Sequence, residues 1–148
     1  MLSFLLAWVC LSFNTYHEAR REGIQGMEMV NLVTMTRANH QNDKVCEVVL
    51  KPKQFSWANS FTEKELTPAQ RFDRIRAMAP RDRQAWGAST HVAYKALRGQ
   101  ISPDTVAIVG QADHYFNPNK ANPSWKRGMK FIARINNHDV YQSNRTWR

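Results

Sequence analysis

The stretch richest in chemical potential is Tyr16-His17-Glu18-Ala19-Arg20-Arg21-Glu22-Gly23. Glu18 stands at the end of a very hydrophobic segment, where the chain is about to turn. Burial beside apolar side chains disfavours the ionised form and raises a carboxyl pKa. The partial negative charge at a helix C-terminus pushes the same way, while Arg20 and Arg21 push against it. A carboxyl kept protonated near neutral pH can hand a proton to a leaving-group oxygen, which is the task of a general acid. On spacing by itself, an ordinary solvated helix-end glutamate is the favoured reading of Glu18.

Several elements must hold that glutamate. Leu2, Leu5, Leu6, Val9, Phe13 and Tyr16 follow helical spacing, and Phe4, Trp8 and Leu11 fill the other side. A helix apolar all round belongs inside a bundle, so a core helix to about Tyr16 is expected. The run is short for a membrane span and lacks the basic start of a signal peptide, since no Lys or Arg precedes Arg20. A membrane-associated role for residues 1–16 is the minority alternative. Gly23 and Gly26 punctuate a turn, and a second helix follows from about Met27 to Ala38. A third is expected from Lys44 to Leu50, capped by Asp43. Thr67-Pro68 starts another that ends before Pro80. Asp82 can cap the next, which Gly99 closes. Ser102-Pro103-Asp104 reads as a turn, and Asp113 to Asn122 as loop or short strand. A last helix is expected near Ser124 to Ile135, with Trp125, Met129, Ile132 and Ala133 on its apolar face. Val140 and Tyr141 suit a short terminal strand. The fold class is therefore mainly α with a minor β element, in a single domain over residues 1–148.

The 148 residues carry 21 Lys and Arg against 12 Asp and Glu, a formal charge of +9. Such a surplus points to a polyanionic partner: nucleic acid, an anionic membrane or an anionic cell envelope. The hydrophobic fraction of 43% excludes wholesale disorder. Cys10 and Cys46 are too few for a disulfide scaffold. Two buried free thiols are the favoured expectation, with a single bridge left open. The histidines show no ligand spacing, and neither CxxC nor HExxH occurs, so no metal is expected. No phosphate-binding glycine loop occurs, so no nucleotide cofactor is expected either.

A set of short segments resembles the SleB/CwlJ-type cell-wall hydrolase family. They are Glu18-Ala19-Arg20-Arg21-Glu22, Thr36-Arg37, Val45-Cys46-Glu47-Val48-Val49 and Gln54-Phe55-Ser56-Trp57. His114-Tyr115-Phe116-Asn117-Pro118, Pro123-Ser124-Trp125 and His138-Asp139-Val140-Tyr141 follow in the family's order. The resemblance spans roughly Leu5 to Tyr141. The chain departs from the family's habits at His17, Gly23, Met27 and Thr36, where glycine or alanine, proline, glutamine and asparagine are usual. The stretch from Ser60 to Pro80 is longer and more charged than in the family.

The resemblance implies a lysozyme-like fold and cleavage of peptidoglycan between N-acetylmuramic acid and N-acetylglucosamine. It implies a lytic transglycosylase in which one glutamate, here Glu18, is acid and then base. A hydrolytic muramidase is the alternative; it needs a second carboxylate about 5–9.5 Å from the first, depending on stereochemistry. Glu22, Glu28 and Asp113 are the candidates, with Glu22 better suited to pairing with Arg20, Arg21 or Arg37. Gln54, Ser56 and Asn117 can hydrogen-bond sugar substituents or cap their own loops. Phe55, Trp57, Tyr115 and Trp125 can line a sugar groove or pack in the core. His114 can orient Glu18 or substrate, or sit satisfied in the core.

A single basic catalytic domain resembles the endolysins of phages that infect Gram-negative hosts. Such an enzyme is made in the host cytoplasm, acts on the wall in the periplasm, and is expected to be a monomer. The charge then serves contact with the anionic envelope, and lysis should fall at high ionic strength. Two rivals from other classes remain. A nucleic-acid-binding protein rests on charge, yet the aromatics cluster with Gln, Ser and Asn rather than with Lys and Arg. A membrane-disrupting protein rests on residues 1–16.

Overall fold

The computed structural model describes residues 2–51, 67, 69, 70, 73 and 80–147. Five α-helices have both ends among them: α1 (Leu2–Ala19), α2 (Gly23–Arg37), α3 (Asn42–Val49), α4 (Arg83–Leu97) and α5 (Pro103–Val109). Three short strands complete the fold: β1 (His114–Phe116), β2 (Lys130–Ile135) and β3 (His138–Gln142). The mainly helical class with a small β element is the one expected. The longer, charged stretch within Ser60–Pro80 lies largely outside the described residues.

Helix α1 is the central element. Ala7, Cys10, Leu11, Phe13, Tyr16 and Ala19 are buried, while Leu2 and Leu5 at its start are exposed. It packs on α2, α3 and α4, which cover most of its apolar circumference from Ala7 onward. No described helix is long and apolar enough to cross a membrane. One core cluster joins Ala7, Cys10, Leu11 and Phe13 to Met35, Val45, Val49 and Ala93. A second joins Ala19, Met27, Val30 and Val33 to Val109, Ile135 and Val140. Glu18 lies next to Ala19, where the second cluster meets the sheet.

Four sequence expectations are corrected. First, Cys10 and Cys46 form a disulfide with Cα atoms 5.4 Å apart, rather than two free thiols. Packing of α3 across α1 brings them together, and no local spacing reveals that. Second, α2 begins at Gly23, not Met27. Gly23 has φ +75, which an L side chain rarely adopts, and lets the chain leave α1. Gly26 sits inside the helix because a Cβ there would meet Glu22 Cβ at 2.5 Å and Asn136 Nδ2 at 3.2 Å.

Third, Ser102-Pro103-Asp104 opens a helix instead of a turn. Proline takes the first helical position of α5, where its missing N–H costs nothing. The cap comes from α2. Glu28 accepts from Ser102 N and Ser102 Oγ through Oε2, and from Thr105 Oγ1 through Oε1, each at 2.8 Å. Fourth, the last helix is absent. Ser124–Gly128 is a 3-10 turn, and Lys130–Ile135 is strand. Asn136 at φ 52 turns the chain directly into β3. Strand pairing with β3 overrides a spacing that also suits a helix.

The sheet order is β1-β3-β2, antiparallel throughout. Tyr115 pairs with Val140 and His114 with Tyr141. Because side chains alternate along a strand, Tyr115 and Val140 share one face. His114, Phe116 and Tyr141 share the other.

Candidate active site

Glu18 leaves α1 toward the inner face of the sheet. Burial raises its carboxyl to about pH 7 against two opposing effects, the charge of Lys120 and a hydrogen bond from Tyr115. The Tyr115 hydroxyl is buried, and burial first, then the charge of Glu18, hold its phenol well above the usual range. The phenol therefore stays protonated and donates to Glu18. Asn14 donates to the same phenol oxygen from one turn earlier on α1. Its amide nitrogen also lies 3.4 Å from Thr34 Oγ1. Beneath it, Asn31 Nδ2 donates to Thr15 Oγ1 at 3.0 Å and to Met27 O at 2.8 Å. A buried polar seam between α1 and α2 thus fixes Asn14, which fixes Tyr115, which fixes Glu18.

The other carboxylates near the site have structural duties. Glu22 does not pair with Arg20, Arg21 or Arg37. Its Oε1 lies 3.4 Å from His138 Nδ1, and its Oε2 accepts from Asn137 Nδ2 at 3.3 Å. Its backbone carbonyl accepts from Asn136 Nδ2. Glu22 therefore pins the β2–β3 turn to the start of α2, a partnership spanning most of the chain. Burial keeps His138 below the usual histidine range despite the charge of Glu22. Glu28 caps α5, as described. Asp113 accepts from Ser143 N at 2.9 Å and Trp147 Nε1 at 2.8 Å. It also accepts from Ser143 Oγ and lies 2.9 Å from His114 Nδ1. These bonds hold its carboxyl below the usual range even though burial opposes them.

The expected site residues divide into three groups. Tyr115 meets Glu18 directly. His114 and Trp125 lie in an aromatic layer on the other face of β1, with ring centroids 4.9 Å apart. Trp125 also contacts Phe116 at 5.6 Å and Tyr141 at 5.9 Å. His114 is thus held by Asp113 and Trp125. Burial, the largest effect, keeps its imidazole below the usual histidine range. Asn117 Oδ1 accepts from Asn119 N at 2.9 Å, so it caps its own loop. Gln54, Phe55, Ser56 and Trp57 lie outside the described residues.

Sequence reasoning missed Asn14 and Lys120. The available signal for Asn14 was a polar residue one turn before Glu18 in an otherwise apolar helix. Lys120 lay in an undifferentiated polar loop. A cavity of about 520 Å³ runs along the neighbouring face of α1, lined by Phe13, Tyr16, His17, Arg20, Arg21, Pro80, Arg81 and Asp82. Burial and then the Arg20 charge lower His17, leaving it neutral at pH 7. Three arginines against one aspartate make this cavity strongly cationic, which suits an anionic polymer.

A family model described as Cell Wall Hydrolase matches residues 21–141, beginning just past Glu18. Among solved structures, the chain is similar to the catalytic domain of the Bacillus cereus SleB protein. Identity is 20%, coverage is 92% of this chain and 90% of that one, and the TM-score is 0.61. At that identity the likeness concerns the fold, which is lysozyme-like as expected. Among curated proteins, none matches.

Proposed function

The chain belongs to the cell wall hydrolase family, and from that premise we propose that it is a lytic transglycosylase with Glu18 as acid and base. Peptidoglycan is the substrate that membership implies. The observation that carries the mechanism is the Glu18 carboxyl, raised to about 7 by burial and held by the Tyr115 hydroxyl. Protonated, Glu18 gives its proton to the oxygen linking N-acetylmuramic acid to N-acetylglucosamine. The bond from muramic C1 to that oxygen breaks, and the N-acetylglucosamine end leaves as an alcohol. Glu18, now a carboxylate, takes the proton of the muramic C6 hydroxyl. O6 closes on C1, forming a 1,6-anhydro ring, and Glu18 is protonated again. No water is consumed.

A hydrolytic route asks for a second carboxylate. Glu22, Glu28 and Asp113 each spend their oxygens on a turn, a helix cap and the C-terminal tail. Their engagement favours the single-glutamate route. Tyr115 positions Glu18. Trp125, with His114 beside it, and Asn117 serve as further saccharide contacts. The single domain acts as a phage endolysin on the wall, and its basic surface favours the anionic envelope. The test is Glu18→Gln on purified peptidoglycan, where release of fragments should fall by at least about a hundredfold. Undiminished release would overturn the assignment.

A further inference from the structure

A second cavity, of about 340 Å³, lies between the end of α2 and the C-terminal tail, outside the chemistry assigned to Glu18. Thr36, Asn39, Gln111, Gln142, Arg145 and Trp147 are among its lining residues. The tail that closes it is firmly built. Asp113 accepts from Ser143 N at 2.9 Å and from Trp147 Nε1 at 2.8 Å. Two guanidinium groups lie over the Trp147 ring, Arg145 at 4.0 Å and Arg37 at 5.1 Å. Arg37 is half-buried, whereas Arg145 is exposed at the cavity.

Two features ask for a ligand. The Arg145 guanidinium forms no salt bridge among the described residues. Held 4.0 Å over an indole, it presents a fork of donors that suits a carboxylate. Thr36 is only 8% exposed, and its hydroxyl has no hydrogen-bond partner among the described residues. A buried polar group left unpaired is costly, and a bound ligand would satisfy it. His40, Ser143 and Thr146 also line it, and the amides of Asn39, Gln111 and Gln142 both donate and accept, as peptide groups require. The matching ligand is a short peptide that carries a free carboxylate.

We propose that this cavity binds the carboxylate-bearing peptide stem of the glycan strand that Glu18 cleaves. The inference rests on peptidoglycan being the substrate. Its link to the active site is β1. Asp113, which anchors the tail, also lies 2.9 Å from His114 Nδ1, and the next residue is Tyr115. Arg37 joins the two regions more directly, since its charge acts on the Tyr115 phenol and its guanidinium lies over the Trp147 ring; a glycan held at Glu18 would then place the peptide of a nearby muramic acid against Arg145.

The experiment is a nuclear magnetic resonance titration of the isotope-labelled full chain with a synthetic stem tetrapeptide. The peptide should shift the Thr36 amide and the Trp147 indole signals. Arg145→Ala should weaken binding roughly tenfold or more, and Arg145→Lys should recover part of it. A peptide with every carboxylate amidated should show the same loss. Unchanged affinity in Arg145→Ala, or a peptide that shifts neither signal, would overturn the proposal. Glu18→Gln should bind the peptide like the parent chain. Peptide binding by a parent chain that fails to cleave glycan would sink the catalytic assignment and leave this one standing. Cleavage without peptide binding would do the reverse.

Discussion

The Tyr115 hydroxyl donates a hydrogen bond to the Glu18 carboxyl and so ties the sheet to the end of the central helix. That bond favours the ionised glutamate, while burial disfavours it more strongly. Activity of the free enzyme should therefore decline as pH rises through about 7, because the acid form is lost. Tyr115→Phe removes an interaction that lowers the Glu18 pKa, so the alkaline limb should move to higher pH. The plateau of kcat/KM should drop between about tenfold and a hundredfold as positioning is lost. A pH–rate profile of both forms checks this. A limb unmoved in Tyr115→Phe would count against the contact.

Glu18 should also carry a stability cost. Its pKa rises from 4.5 to about 7 on folding. The folded state therefore holds its proton more tightly than the unfolded state, and stability falls as pH climbs from about 4.5 through 7. Glu18→Gln stays neutral and escapes that loss. At pH 8 the variant should be more stable by up to about 3 kcal/mol, and at pH 4 nearly unchanged. Denaturant titrations at the two pH values measure it. An equal effect at both would contradict the raised pKa.

Glu28 should matter for folding and not for turnover. Glu28→Ala deletes the acceptor of three hydrogen bonds at the start of α5. The loss should be about 2–4 kcal/mol. Turnover per folded molecule should stay within about twofold of the parent, against the hundredfold or greater loss expected of a catalytic carboxylate. Calorimetry paired with active-fraction-corrected rates separates the two effects.

The Cys10–Cys46 bridge should stabilise the helix that bears Glu18. It closes a separation of 36 residues. Chain-entropy arguments give about 2–4 kcal/mol for a loop of that size. Reduction, or paired Cys→Ser substitution, should lower the melting temperature accordingly. A melting temperature indifferent to reductant would mean that packing of α3 on α1 suffices without the bridge.

Much of this architecture is legible in local patterns. The apolar run of α1, the Asp82 cap of α4 and the glutamate at the end of α1 all declare themselves within a few residues. Asp82 indeed accepts from Ala85 N at 3.0 Å. What escapes is non-local. Glu22 meets Asn137 and His138, and Glu28 caps a helix 74 residues away. The stretch Lys130–Ile135 carries a spacing compatible with helix, and only its pairing with β3 decides for strand. Tyr115 was recognisable as an aromatic groove candidate. Its direct bond to Glu18 depends on the face of β1 on which it falls, which the register with Val140 fixes.

The most direct test of the central claim is the fate of water. Purified peptidoglycan would be digested in water enriched in oxygen-18, with the parent chain and with Glu18→Gln, and the fragments weighed by mass spectrometry. A single glutamate acting as acid and base predicts 1,6-anhydromuramic ends with no heavy oxygen from the parent chain, and almost no fragments from the variant. Reducing muramic ends carrying oxygen-18, or fragments released as fast by Glu18→Gln, would contradict it.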